Sequence, residues 1–288
     1  MPYLLLGILG AGILAYAAAH VRKRPLVAAL VALGASLGVS DLVVSGLLRL
    51  YTYRPFFFAE VRPDNGLGLT LADLIFVPFT YASLLTLLPR HRVAVSVAFV
   101  VLLSGIEILF LRLGIFIHHG WRLWYTPLLF GARFALAAWW LGIFERSGYT
   151  QGFRWLIVTS GTTYLWFLWV ALSSAVAGLW NIYLGLLDPF RDAVLGHSLL
   201  HAPPAILGVM ACAMIGGVRK ATNVGVLVAA MALYLTGLEW LGLWRDRPPW
   251  SPIASALVVG GLALVVIYLD GWMAEAARPR IPAWKPPS

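Results

Sequence analysis

Leu103-Ser104-Gly105-Ile106-Glu107-Ile108-Leu109 lies at the centre of an apolar run from Val93 to Ile117. Crossing ~30 Å of hydrocarbon takes about 20 residues of helix, and this run is long enough. Hydrocarbon cannot solvate a carboxylate, so Glu107 needs a partner, a water-filled cavity or a proton. The phrase returns as Leu235-Thr236-Gly237-Leu238-Glu239-Trp240-Leu241. Two apolar helices with one Glu each in like surroundings point to a duplicated bundle built around the pair.

Composition agrees with a membrane chain. Of 288 residues, 61% are hydrophobic and only 11% charged, with a mean hydropathy of +0.85. Soluble domains carry about 25% charged residues. The apolar runs are continuous and do not alternate, which argues against a barrel. The expected fold class is all-α: a polytopic transmembrane helix bundle of about nine helices, with two parallel four-helix repeats and an extra N-terminal helix. The formal net charge of +9 comes from short cationic clusters between apolar runs. The positive-inside rule accounts for that pattern, and nucleic-acid binding has no support. The lone Cys212 cannot form an internal disulfide.

Residues 1–24 read as an N-terminal transmembrane helix and a basic loop. Its cations, Arg22-Lys23-Arg24, follow the apolar run, whereas a cleaved signal has them in front, so an uncleaved helix is expected. Residues 25–145 read as the first four-helix repeat and 153–274 as the second, with a basic, Pro-rich and disordered tail over 275–288. Tyr51 to Thr70, with Phe56-Phe57-Phe58 and the turn signal Asp64-Asn65-Gly66, reads as an interfacial loop or short surface helix. The sixth helix is expected to run from Phe153 to about Tyr183.

The matches behind the repeat are Gly34, Gly38 and Asp41 with Ser174, Gly178 and Asn181, then Asp73 with His197, then the two Glu phrases, then Tyr125-Thr126-Pro127 with Trp250-Ser251-Pro252. The small-xxx-small spacing of Gly34 and Gly38 predicts tight packing of the second helix on the sixth. An even number of helices per repeat sets both halves the same way up. Charge bias sets the direction. Arg22, Lys23, Arg24, Arg90, Arg92, Arg146, Arg154, Arg219, Lys220 and the tail cations share one side, and only Arg54, Arg62, Arg122, Arg191, Arg245 and Arg247 the other. The N-terminus is therefore expected outside and the C-terminus in the cytoplasm.

Asp73-Leu74, Phe76-Val77-Pro78, Glu107 and Gly120-Trp121-Arg122-Leu123-Trp124-Tyr125 carry a resemblance. Over about residues 31–144 the chain resembles a family of small uncharacterised bacterial integral membrane proteins, common in spore formers and known by a locus-tag name. The resemblance implies a bacterial cytoplasmic membrane and a fused tandem of two such units, and it implies no activity.

On this reading the intramembrane polar groups gather in the outer half of the bilayer. The candidate ligand-binding residues are Asp41, Asp73, Glu107, Arg112, His118, His119, Trp121, His197, His201 and Glu239. They suggest a cavity open to the outside that binds or transports a small polar or cationic ligand. Arg112 also reads as a snorkelling cation. His197 and His201 stand four apart on one helix face, which is metal-ligand spacing, so a divalent metal with Glu239 or Asp73 is a further expectation. A membrane-embedded enzyme acting on a lipid or isoprenoid, and a scaffold whose buried charges only set helix register, stay open beside the binding reading. The three lysines, Lys23, Lys220 and Lys285, all lie outside helix centres, which excludes a retinal Schiff base. The partners implied are the lipid bilayer and a small molecule or ion, and no oligomeric state can be read.

Overall fold

The computed structural model describes residues 2–182, 184–215, 220–246 and 250–275. The expected disordered tail and the cations at Arg219, Arg247, Arg278, Arg280 and Lys285 fall outside the described residues. Among those described, nine helices are long and apolar enough to cross a membrane. The chain is a multi-pass helical membrane protein.

Helix α1 covers Pro2–His20. Helix α2 covers Lys23–Asp41 and continues as a π turn over Leu42–Leu47, followed by a strand β1 over Tyr51–Tyr53. Helix α3 is continuous from Val61–Leu69 through a π segment, Thr70–Phe76, into Val77–Leu87. Helix α4 is Arg92–Arg112, β2 is Phe116–His118 and α5 is Tyr125–Ser147. The same order of elements then recurs. Helix α6, Gln151–Val170, ends in a π segment, Ala171–Val176, and β3 is Trp180–Ile182. Helix α7 runs Pro189–Gly196, π His197–His201 and Ala202–Met214. Helix α8 is Lys220–Trp240, β4 is Trp244–Asp246 and α9 is Pro252–Glu275.

Two expectations change here. The stretch Tyr51 to Thr70 is a surface loop only over residues 56–60, where Phe56, Phe57 and Phe58 are exposed. It pairs as a strand with β2, Tyr51 opposite His118, and then enters the bundle as the first turns of α3, where Asp64 is fully buried. The sixth helix stops at its π segment, and Asn181 lies in a strand opposite Arg245 rather than on a helix. Asn181 is thus no helical counterpart of Asp41.

The prolines explain part of the packing. Pro78 has no N–H and its ring crowds the carbonyl four residues back. That carbonyl, on Leu74, takes the Tyr164 hydroxyl of α6 instead. In α7, Pro204 stands four residues after Leu200, whose carbonyl takes the Tyr234 hydroxyl of α8 at 2.8 Å. Each freed acceptor becomes a tie between helices where lipid offers no substitute.

Helices α2 and α6 pack tightly, as expected from Gly34 and Gly38. A Cβ at Gly34 would lie 2.3 Å from the Tyr164 ring, and one at Gly38 2.4 Å from the Phe167 ring. The two helices run the same way. Arg24 at the start of α2 bonds the Trp272 carbonyl, and Arg154 at the start of α6 bonds Asp270, both near the end of α9. At the opposite end the strands close each half, and α1 reaches that end through Tyr3, whose hydroxyl donates to the Ile115 carbonyl at 2.8 Å.

Candidate functional site

The site is built around β1. Tyr51 and Tyr53 are two apart on a strand, so both point to one face, and that face is the interior. The Tyr51 hydroxyl donates to Asp41 Oδ1 at 2.6 Å, and the Tyr53 hydroxyl to Asp73 Oδ2 at 2.5 Å. Asp41 sits where α2 turns from α to π, and Asp73 lies inside the π segment of α3. Such wide turns displace side chains from the regular helical face and recur at functional sites. Both carboxyl groups line one cavity.

Side chains above the strand complete the wall. The Tyr3 ring meets Tyr53 edge-on at 5.6 Å and Phe110 at 4.6 Å, and Phe116 stacks on Tyr53 at 4.8 Å. Trp121 stands edge-on to Tyr51 at 5.2 Å and donates its indole N–H to Thr126 Oγ1 at 3.0 Å. His118 Nε2 lies 2.9 Å from Glu107 Oε1. All of these groups except His118 line a cavity of about 90 Å³ that also receives Arg133 of α5. A second cavity, about 110 Å³, lies between the halves and shares Asp41 with the first; Ser45, Asn65 and His197 are among its lining.

Asp41, Asp73 and Glu107 are each under 10% exposed, at 6%, 6% and 7%. Three carboxyl groups share the first cavity with one guanidinium. Burial, and then the neighbouring carboxyl groups, push the Tyr51 and Tyr53 phenols well above their ordinary range. They therefore remain hydrogen-bond donors. Burial first, and then His119, pull His118 below its usual value. Asp41 Oδ2 has no hydrogen-bond partner among the described residues. A buried acceptor left so is costly unless a ligand or water meets it.

The candidates from sequence divide cleanly. Asp41, Asp73, Glu107, His118 and Trp121 come together. His119 is exposed and within 3.0 Å of Thr52 Oγ1 on the outer side of the ribbon. Arg112 is exposed at the end of α4, in keeping with snorkelling. Glu239 is exposed in the last turn of α8 and lines neither cavity, so the expected Glu107–Glu239 pair is not formed. Leu235, as far from the end of α8 as Glu107 is from the end of α4, is fully buried.

His201 is fully buried beside the rings of Trp166 and Trp244, and His197 faces the second cavity. No group of three or more His, Cys, Asp or Glu side chains among the described residues could hold a metal ion. The expected set of His197 and His201 with Glu239 or Asp73 is therefore not assembled.

Sequence reasoning missed Tyr3, Tyr51, Tyr53, Thr126 and Arg133. Arg133 was visible as a lone cation within an apolar run, which by itself marks a functional position. The Tyr-Thr-Tyr alternation was visible too, as the period of a strand. No protein-family model matches this chain, and no curated protein or solved structure matches it either.

Proposed function

We propose that the chain is a membrane-embedded binding protein or carrier for a small organic or inorganic cation. The cation would be held between Asp41, Asp73 and Glu107 and the faces of Tyr3, Tyr51, Tyr53 and Trp121. The observation that carries this is that Asp41 and Asp73 line one cavity, with Asp41 Oδ2 unmatched by any described donor. A bound cation relieves the repulsion between neighbouring carboxylates, and aromatic faces attract cations further. Arg133 sets the limit on net charge and favours ligands with an acceptor group opposite their charge.

Internal duplication supports placing the site in one half only. Asp64 with Asp192 and Gly68 with Gly196 stand 128 residues apart, and Trp121 with Trp250 and Thr126 with Ser255 stand 129 apart, a register a few residues away from the one that pairs the two Glu phrases. Asp64 and Asp192 each cap the turn before their helix through backbone N–H groups. Trp121 and Trp250 each donate to the hydroxyl five residues on, both at 3.0 Å. In that register Tyr53 meets Ile182, Asp73 meets His201 and Glu107 meets Leu235. The second half would thus have exchanged its acids for apolar packing and one histidine. The cationic loops support an arrangement with the N-terminus and the ribbon end outside, and the resemblance supports a bacterial cytoplasmic membrane.

The test is ligand-induced thermal stabilisation of the purified chain in detergent. Sodium, potassium, ammonium, tetramethylammonium and arginine are compared with matched anions. Stabilisation by one class of cation, lost in Asp73→Asn and Glu107→Gln, is the expected result. Equal responses to cations and anions, or a response that survives both variants, would refute the reading.

A further inference from the structure

The end of the bundle opposite the acidic cavity carries a recess that the cation site does not use. It lies between the α1–α2 turn, the end of α5 and the end of α9, and has a volume of about 730 Å³. Arg22, Lys23 and Arg24 line one side, with Phe144, Tyr149 and Trp272 among its other walls.

The one acid in its lining, Glu145, and the neighbouring Asp270 are already matched. Both Glu145 oxygens take Arg92 Nη2 at 2.7 Å. Asp270 takes the Tyr149 hydroxyl at 2.7 Å and Arg154 at 2.8 Å through both of its oxygens. Arg24 is fixed in place. Its Nε and Nη2 donate to the Trp272 carbonyl at 3.1 and 2.8 Å, and its guanidinium lies 5.2 Å from the Trp272 ring centre. Arg22 and Lys23 are exposed and make no ion pair or side-chain hydrogen bond with any described residue. The recess therefore holds three cations in surplus. It also stands at the level where apolar spans end, where Trp and Tyr favour the headgroup region. The smaller recess at the other end differs, because its Arg49 and Arg191 both face Asp188, at 3.9 and 3.5 Å.

We infer that this recess seats the phosphate headgroup of an anionic phospholipid. Arg24 forms the rigid floor, and Arg22 and Lys23 close on the phosphate oxygens. Guanidinium groups suit phosphate because their donors form a planar fork. Basic recesses between transmembrane helices on the cytoplasmic side bind such headgroups generally. The occupant is a lipid and not free phosphate, because the recess opens at the bilayer surface beside aromatic side chains that favour that level.

The experiment titrates phosphatidylglycerol, phosphatidylcholine and inorganic phosphate separately into the full chain in detergent, reading melting temperature and native mass spectra. Phosphatidylglycerol should stabilise the chain and remain attached in the spectrum, while phosphatidylcholine and phosphate should do neither. Each cation near a membrane surface contributes about a fivefold change in affinity, so Arg22→Gln with Lys23→Gln should weaken phosphatidylglycerol about 25-fold. The response to cations at the other end should stay unchanged in that double variant, which separates this site from the first. Equal stabilisation by phosphatidylcholine would overturn charge recognition, and equal stabilisation by phosphate would overturn the lipid as occupant. An unaffected double variant would overturn the site. So would a loss of selectivity on replacing Arg278, Arg280 and Lys285 by Gln, which would move it to the tail.

Discussion

Asp64→Ala tests whether the turn before α3 holds the site together. Asp64 is fully buried and accepts the backbone N–H groups of Phe56 at 3.0 Å, Phe57 at 2.9 Å and Phe58 at 3.2 Å, and Arg54 Nε at 3.2 Å. Hydrogen bonds to a charged group are worth about 1.5–3 kcal/mol each when removal strands the partner. The three Phe residues are 39–63% exposed, so water replaces part of each lost bond. The expected net loss is about 3 kcal/mol, with roughly half of that in Asp64→Asn, which keeps one acceptor oxygen. Arg54→Ala should cost only about 0.5–1 kcal/mol, as partly exposed ion pairs do. The loss should reach the cavity as well. Asn65, next in sequence, accepts the Tyr53 N–H at 2.7 Å, so a loosened turn frees the strand that carries both phenols. The assay is unfolding in mixed micelles of mild detergent and dodecyl sulfate, followed by tryptophan fluorescence. A loss below about 1 kcal/mol, or one no larger than that of Arg54→Ala, would show that the turn is held by something other than the Asp64 carboxylate.

In the α2–α6 contact, Gly34→Val would drive a side chain into the Tyr164 ring, and an overpacked core site of this kind costs about 1–3 kcal/mol or more; unchanged unfolding would mean that these helices separate readily. A double-mutant cycle of Tyr53→Phe and Asp73→Asn should give a coupling of about 1.5–3 kcal/mol if the phenol meets a carboxylate, and under about 1.5 if it meets a neutral acid. Because burial and the Asp41 and Asp73 groups hold both phenols above their usual range, alkaline difference spectra should find Tyr51 and Tyr53 still protonated past pH ~10. Replacing both by Phe should then leave the phenolate signal below pH ~11 unchanged, and a loss of signal there would place them in contact with solvent. In a Cys212→Ser background, Arg122→Cys should label from outside and Lys23→Cys only after the membrane is opened; the reverse pattern inverts the orientation.

The membrane spans were plain in the sequence because each is a long apolar run that has to satisfy its own backbone. Glu107 was plain for the related reason that an acid in such a run is expensive. The ribbons were not plain. Three-residue strands leave no periodic signal beside runs of about 20 residues, and Tyr51-Thr52-Tyr53 blends into the aromatic content expected of any interface. The Glu239 phrase misled for a geometric reason. Its letters match those around Glu107, but Glu107 lies five residues before the end of α4, Arg92–Arg112, whereas Glu239 lies one residue before the end of α8, Lys220–Trp240, about one turn closer to it. One turn is enough to carry a side chain from the packed interior to the exposed rim. Asp41 and Asp73 were identified as residues, but their approach to each other depends on π turns that no local pattern announces.

Every group on the acidic cavity lies between Tyr3 and Arg133 in chain order. The closing bonds span very different stretches: Tyr51 reaches back ten residues to Asp41, whereas Tyr3 waits for Ile115, 112 residues later. During synthesis every residue that lines this cavity therefore emerges before α6 does. What arrives afterwards acts as a clamp, since Tyr164 and Phe167 fill the grooves that Gly34 and Gly38 leave open and Tyr164 takes up the Leu74 carbonyl. The first half thus has a kinetic head start in which its polar groups must find one another, and the late half fixes the outcome.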